Sequence, residues 1–125
     1  MIVGVGFDLV EIQRVKAALD RFGDRFALRI LLPSEWEYCL GQRVPSISLA
    51  GRFAAKEAAS KAFGVGIGSH LSWTDMEVTR NALGKPNLML HGSAQELLHS
   101  LGARGLHLSL THTATTAGAV VILER

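Results

Sequence analysis

The feature that most constrains the fold is the stretch over residues 48–68, SLAGRFAAKEAASKAFGVGIG. It contains no proline, and it is dominated by alanine and straight-chain residues, which have a strong intrinsic preference for helix. Gly64 is suited to the left-handed conformation that ends many helices. A long central helix is therefore predicted. Small residues on one of its sides leave room for another backbone to approach closely: Gly51, Ala54, Ala55, Ala58, Ala59 and Ala62.

The other side of this helix mixes charged and apolar residues, which a solvated helix normally separates. Leu49 and Phe53 are interleaved there with Arg52, Lys56, Glu57 and Lys61. One interpretation is a surface helix on which Glu57 and Lys61 form an i,i+4 ion pair. The other is a site for a polyanion and a metal ion, because three cations accompany one carboxylate on a half-apolar face.

Composition indicates one domain. A chain of 125 residues, 48% of them hydrophobic, is long enough for a single domain over residues 1–125 with its own core. The 13 Lys and Arg barely exceed the 11 Asp and Glu, so the mildly basic surface suits an acidic partner or a phosphate ligand and does not indicate nucleic-acid binding. Cys39 is the single cysteine, which excludes an internal disulfide and fits a reducing compartment.

Residues 2–10 predict a buried strand, since they form a short apolar run. They lack a basic lead-in and a cleavage site and they include Asp8, so they indicate neither a signal peptide nor a membrane span. We expect a cytoplasmic protein without a membrane partner.

An ionised Asp8 near the end of an apolar strand needs a cation, a metal ion or hydrogen bonds. Alternatively, Asp8 caps the next helix, with Glu11 in the capping-box position.

Residues 11–22 predict an amphipathic helix, because Ile12, Val15, Leu19 and Phe22 have the spacing of a core stripe. Its opposite face carries a basic row, which would continue beyond Gly23 if the helix does. Such a row is either an ordinary solvated face or a docking surface for an acidic helix. The row consists of Arg14, Arg21 and Arg25.

The remaining elements complete an α+β domain with a mostly antiparallel sheet. A short helix opens at Pro33 and Ser34, with Ser34 as N-cap and Glu37 in the capping-box position, and it carries Trp36, Tyr38 and Cys39 as core or interface residues. Strands are predicted over residues 73–79, 87–90, 106–111 and 118–123, and a helix over residues 94–101 capped by Ser93. His112 ends an apolar row, where a lone histidine is more often a hydrogen-bonded core residue than a ligand.

Several motifs, taken in order along the whole chain, resemble one family. They are Gly4-Val-Gly-Phe-Asp8-Leu-Val-Glu-Ile, Gly51-Arg-Phe-Ala-Ala-Lys-Glu57-Ala-Ala-Ser-Lys61-Ala, Trp73-Thr-Asp-Met-Glu-Val78, Gly84-Lys-Pro86 and His107-Leu-Ser-Leu-Thr-His112. The chain resembles the holo-(acyl-carrier-protein) synthases, the short bacterial 4′-phosphopantetheinyl transferases. It departs from the family's pattern around the last histidine, where Thr111 and residues 113–117 stand.

The resemblance implies an enzyme of fatty acid biosynthesis that moves the 4′-phosphopantetheine group of coenzyme A to a serine of apo acyl carrier protein and releases adenosine 3′,5′-bisphosphate. It implies that Asp8 and Glu57 hold Mg²⁺, and that Glu57, Lys61 and Asp8 are the catalytic residues, with Glu57 or a metal-bound water as the base. It also implies a homotrimer with sites between subunits, and it makes the basic row a docking site for the carrier protein. The implied coenzyme A contacts are Arg52, Lys56, Lys61, Gly64, His112, Arg43, Lys85 and Pro86.

Two other functions compete with this enzyme. One is a non-catalytic basic module that binds an acidic protein or nucleic acid, although it gives no reason for a carboxylate in an apolar strand. The other is a family member that binds coenzyme A without transferring from it, which the altered residues around His112 leave open.

Overall fold

The computed structural model describes residues 1–125 as an α+β domain, as predicted. Strands β1, β5 and β4 form an antiparallel sheet in that order, and β2 and β3 form a separate antiparallel hairpin, so there are two sheets instead of the single one expected. A short 3-10 turn, Trp73–Asp75, precedes β2. The elements are β1 Ile2–Glu11, α1 Ile12–Phe22, α2 Asp24–Ile30, α3 Pro33–Leu40, α4 Pro45–Phe63, β2 Met76–Arg80, β3 Pro86–Leu90, α5 Ser93–Ser100, β4 Gly105–His112 and β5 Thr116–Glu124.

The central helix, α4, packs its small residues against the three-stranded sheet, which provides the close backbone approach predicted for that side. A Cβ atom on Gly6 would collide with the backbone carbonyl of Ala58, and one on Gly4 with that of Ala62. The glycines of β1 therefore set the distance between strand and helix. Gly51 is the exception in the predicted strip, because it has open space where its Cβ would lie.

A second core lies among the first four helices. Ile12 and Val15 of α1 are buried with Trp36 of α3 and Leu49 of α4. Trp36 Nε1 donates a hydrogen bond of 3.0 Å to the Asp24 carboxylate, which satisfies its buried indole nitrogen. Trp36 and Cys39 therefore belong to the core, as expected. This core fixes α1 against α4, the two helices that border the candidate site.

Several helix ends differ from the predictions because local hydrogen bonds decide them. The α4 helix begins at Pro45, three residues before the predicted start. In α3 the N-cap is Leu32, whose backbone N–H donates 2.9 Å to the Glu35 carboxylate, so the assignment of Ser34 and Glu37 was wrong. Ser93 does not cap α5 either. Its hydroxyl donates 2.8 Å to Asp75, and Gly92 occupies the cap position.

No helix is both long enough and apolar enough to cross a membrane.

Candidate functional site

Two carboxylates from distant parts of the chain line one cavity. The β1 strand supplies Asp8 and α4 supplies Glu57, and both border a cavity of about 430 Å³. Asp8 does not cap α1, because β1 continues to Glu11, which is the cap residue and makes no side-chain capping bond. The helix-cap interpretation of Asp8 was therefore wrong, which leaves a carboxylate that is 15% exposed beside a second one.

Lys61 is held at Asp8 and not at Glu57. Its Nζ donates 3.0 Å to Asp8 Oδ1 and 3.1 Å to the backbone oxygen of Phe7. The i,i+4 ion pair between Glu57 and Lys61, one of the two interpretations of this helix, is absent. A cation anchored on the neighbouring strand leaves the Glu57 carboxylate without a hydrogen-bonded counterion.

The pKa of Glu57 is raised above its usual value, first because burial disfavours the charged form and second because Asp8 repels it. Lys61 opposes this shift without cancelling it. A carboxylate whose charged form is disfavoured by burial and by a neighbouring carboxylate is in a suitable place to bind a cation, which would relieve the repulsion.

The donor set fits Mg²⁺ better than a transition metal. Nowhere do three or more His, Cys, Asp or Glu side chains converge as a ready-made metal site. Mg²⁺ usually keeps several waters and takes only one or two carboxylates, together with substrate phosphates. Asp8 and Glu57 satisfy that requirement, and both are oxygen ligands on rigid secondary structure.

A second cavity, of about 630 Å³, has a basic wall. It is lined by four of the predicted coenzyme A contacts, Arg43, Arg52, Pro86 and His112. His112 lies exposed at the end of β4, with its Nδ1 3.2 Å from the backbone oxygen of Thr113. It is therefore placed as a surface residue that a ligand can reach, and the core interpretation of His112 was wrong.

Lys56 does not lie where a coenzyme A contact was predicted. It is fully buried, and its ammonium donates 2.7 Å to Glu35 Oε1 and 2.7 Å to the backbone oxygen of Ile30. The other oxygen of Glu35 accepts the backbone N–H of Val78 at 2.9 Å. Lys56 therefore ties α4 to α3 and to the end of α2, and it lines neither cavity. Burial lowers the pKa of Lys56, although Glu35 opposes this.

Besides Lys61, which is held at Asp8 and lines neither cavity, two further predicted contacts lie outside both cavities. Gly64 ends α4 in the left-handed conformation, with φ of 77°, as predicted. Lys85 lies exposed in the turn between β2 and β3. Neither residue lines the carboxylate cavity or the basic cavity of this chain. They could contact a coenzyme only if it extended beyond these two cavities, for example from the site of a neighbouring subunit.

The basic row spans two helices. Gly23, with φ of 61°, ends α1, so Arg25 belongs to α2 and the row does not continue on one helix. Arg14, Arg21 and Arg25 are nevertheless all exposed. Arg25 lines a groove of about 480 Å³ with Phe22, Phe26 and Arg29, and Arg14 borders the carboxylate cavity. The row therefore extends from the groove to the carboxylates.

Sequence reasoning missed Tyr38 and Arg80 as cavity residues and Glu35 as a buried carboxylate. Tyr38 and Arg80 line the basic cavity together with Arg52. Only the position of Glu35, at the third residue of a helix that opens with Pro33, could have signalled its inward role. For Tyr38 and Arg80 no sequence signal exists, since their association depends on how α3 packs beside β2.

The chain belongs to the 4′-phosphopantetheinyl transferase superfamily, whose family model matches residues 4–113. Among curated proteins it is similar to the holo-(acyl-carrier-protein) synthase of Yersinia pestis (strain Pestoides F), with 49% identity over 98% of each chain. Its structure is similar to that of the Neisseria meningitidis synthase, with a TM-score of 0.93 and 36% identity over 100% of both chains.

A third relative is the Helicobacter pylori holo-(acyl-carrier-protein) synthase, solved in complex with coenzyme A. It has a TM-score of 0.85 and 37% identity, over 96% of this chain and 99% of that one. Relatives that are named synthases over nearly the whole chain favour the enzyme over the non-catalytic basic module.

Proposed function

We propose that this chain is a holo-(acyl-carrier-protein) synthase, which transfers 4′-phosphopantetheine from coenzyme A to a serine of apo acyl carrier protein, with Mg²⁺, in the cytoplasm. The observation that carries the proposal is the meeting of Asp8 and Glu57 on one cavity, next to the cation Lys61. The coenzyme A bound to the Helicobacter pylori relative supports the choice of substrate.

The reaction forms a bond from the carrier's serine oxygen to the phosphorus that bears the pantetheine arm. The bond from that phosphorus to the oxygen of adenosine 3′,5′-bisphosphate breaks. When bound, Mg²⁺ would neutralise charge on the diphosphate oxygens. Glu57 takes the serine proton as the general base. Lys61, fixed by Asp8 and the Phe7 carbonyl, stabilises the leaving phosphate.

The carrier protein is recognised by the basic row. Arg14 borders the carboxylate cavity, Arg25 lines the groove of about 480 Å³, and Arg21 is exposed near the end of α1. An acidic helix on the row would bring the adjoining serine of the carrier towards Glu57. Opposite charges of this kind steer association and orient the partner.

The enzyme acts as a homotrimer with its sites between subunits. In one chain, the carboxylate cavity and the basic cavity share no lining residue. In the proposed trimer, one coenzyme would use the carboxylate cavity of one protomer and the basic cavity of its neighbour. The outer face of β1 supports assembly, because Val5, Phe7 and Leu9 are 57%, 58% and 60% exposed on one side of the sheet. Such an apolar strand face is typical of an interface.

The direct test is to incubate the protein with coenzyme A, Mg²⁺ and a panel of apo carrier proteins, and to weigh the carriers by mass spectrometry. The carrier should gain one phosphopantetheine group. Glu57→Gln should lower the rate by about 100-fold or more, whereas Glu37→Gln, on an exposed glutamate of α3, should not. No transfer to any carrier would refute the proposal.

Carrier docking and assembly need separate measurements. Arg21→Glu should raise the KM for the carrier and weaken its salt dependence, with kcat little changed. Arg104→Glu makes the same charge change at an exposed site between α5 and β4 and should leave KM unaltered. Equal effects of the two changes would contradict docking on the basic row.

Sedimentation should give three times the 13.5 kDa mass of one chain, and a monomer would contradict the trimer.

A further inference from the structure

The strongest feature that the proposed function leaves unexplained is an aromatic pair behind the carboxylate cavity. The ring centroids of Trp73 and Phe53 are 5.2 Å apart, with 30° between the ring planes, and both side chains are partly buried. Aromatic rings at such distances attract one another beyond what their buried area supplies. Phe53 lines the carboxylate cavity, whereas Trp73 does not. Trp73 can therefore influence the cavity only through the residues on which it packs.

Phe53 is next to Glu57 on the surface of α4. The two residues are four positions apart, so their side chains are neighbours on one face of the helix. Together with Phe26 of α2, Phe53 forms the aromatic part of the cavity wall. The other apolar lining residues are Leu9, Val10, Val15 and Ala18. The carboxylates of the cavity are thus surrounded mainly by apolar side chains, and Asp8 is only 15% exposed.

The turn that carries Trp73 is held in place at several points. The Asp75 carboxylate accepts a hydrogen bond of 3.3 Å from the backbone N–H of Ser72 and one of 2.8 Å from the Ser93 hydroxyl. The backbone oxygen of Asp75 accepts the N–H of His91 at 2.8 Å. These bonds join the turn to the end of β3 and to the start of α5, and the turn also packs against α2. Trp73 is therefore fixed from the side that faces away from the cavity.

We propose that Trp73 is a positioning residue that holds the Phe53 ring as an apolar shield beside Glu57, so that the carrier's serine and not water attacks the coenzyme. A general base that takes a proton from a serine hydroxyl can also take one from water. An enzyme that transfers a group must therefore exclude water from its site. The inference rests on the proposed function, because it assumes coenzyme A as the donor and Glu57 as the base.

The side reaction that the shield prevents is the hydrolysis of coenzyme A. A water oxygen would form a bond to the phosphorus that bears the pantetheine arm, and the bond from this phosphorus to the oxygen of adenosine 3′,5′-bisphosphate would break. One water proton would pass through Glu57 to the leaving phosphate. The products would be free 4′-phosphopantetheine and the bisphosphate. Since transfer to the carrier also releases the bisphosphate, the excess of bisphosphate over holo-carrier measures how well water competes.

The test measures these products with coenzyme A, Mg²⁺ and a panel of apo carriers. Mass spectrometry gives the holo-carrier, and liquid chromatography gives the bisphosphate and the free phosphopantetheine. The wild type should release one bisphosphate for each holo-carrier formed. Trp73→Leu should release an excess of bisphosphate, matched by free phosphopantetheine, and should lower kcat for transfer by about 10- to 100-fold with the KM for coenzyme A little changed. Trp73→Phe, which keeps an aromatic ring, should restore both values.

Two further variants separate positioning from stability, with all rates taken per folded molecule. Phe53→Ala should give the same excess of bisphosphate. The double variant should lose less transfer than two independent changes would, because Trp73 acts through Phe53. Leu97→Ala is the control, since Leu97 is a partly buried residue of α5 that packs on the core under the three-stranded sheet and does not line the cavity. It should lower the thermal midpoint and leave one bisphosphate for each holo-carrier.

One bisphosphate for each holo-carrier in Trp73→Leu would overturn the inference, whatever its kcat, and so would independent effects of Trp73→Leu and Phe53→Ala. If Trp73→Leu did not fold, Phe53→Ala would decide, because it removes the shield directly, and the absence of free phosphopantetheine would again overturn the inference. If the wild type modified no carrier, the proposed function itself would fail, which is a distinguishable result.

Discussion

The buried ion pair between Lys56 and Glu35 allows a quantitative stability prediction. The two side chains are 0% and 1% exposed, and their charged atoms are 2.7 Å apart. Lys56→Met removes the ammonium and leaves Glu35 as an uncompensated charge in the core. Removing one partner of a buried pair costs about 3–5 kcal/mol. Since small domains have roughly 5–15 kcal/mol in total, this variant should be close to the limit of stable folding.

The assay is urea unfolding followed by tryptophan fluorescence, which comes from Trp36, buried in α3, and from Trp73. The double variant Lys56→Met with Glu35→Gln should lose less than the sum of the two single variants, because it leaves no buried charge behind. The difference from additivity should be about 0.5–3 kcal/mol. All proteins are compared at one concentration, since assembly also contributes to apparent stability.

An exposed pair of similar length is the control. Lys16 Nζ lies 2.9 Å from Asp20, and the two side chains are 52% and 65% exposed. Lys16→Met should cost no more than about 0.5 kcal/mol, because water and side-chain entropy weaken an exposed pair. If Lys56→Met cost as little as Lys16→Met, or if the effects at Lys56 and Glu35 were additive, the reasoning on the buried pair would be refuted.

Further predictions concern packing, pH and metal binding. Gly6→Ala should unfold or strongly destabilise the protein because its Cβ would meet the Ala58 carbonyl, whereas Gly51→Ala, which meets nothing, should raise the thermal midpoint slightly; equal midpoints would contradict this. Burial and Asp8 raise the pKa of Glu57 above 4.5. Ionising Glu57 therefore lowers the free energy of unfolding; the loss begins as the pH rises past 4.5 and is complete above the raised pKa. Without divalent cations, Glu57→Gln should gain stability relative to the wild type over that rise in pH, and a constant difference in urea midpoint would count against it. Mg²⁺ should raise the thermal midpoint of the wild type but not of Glu57→Gln, and an equal rise in both would remove Glu57 from the metal site.

The parts of the fold that could be predicted depend on local pattern. The strip of small residues on α4 indicated a close approach of another backbone, and the structure has it where Gly4 and Gly6 of β1 meet the helix. The pairing of β1 with β5 could not be read from either strand, since both are apolar runs with several possible partners. The division into two sheets was missed for the same reason. It depends on which strands meet in space.

The errors at charged residues have one physical cause. Sequence reasoning places a helical lysine at the surface unless a partner is known, and the partners of Lys56 lie 21 and 26 residues away in the chain. From the sequence, the capping-box position was assigned to Glu37, and Glu35 on the same short helix was given no role. Only tertiary packing distinguishes them. It turns Glu35 towards Lys56 and leaves Glu37 in solvent.

The helical period explains how one short motif serves both stability and chemistry. Successive residues of a helix point about 100° apart, so Lys56 faces α3 and the end of α2 while Glu57 faces β1 and the carboxylate cavity. One turn further on, Lys61 follows Glu57 to the β1 side, where Asp8 holds it. Substitutions at Lys56 should therefore reduce the amount of folded protein, and substitutions at Glu57 should reduce the activity of each folded molecule. Activity normalised to the folded fraction separates the two effects, although the two residues are adjacent in the chain.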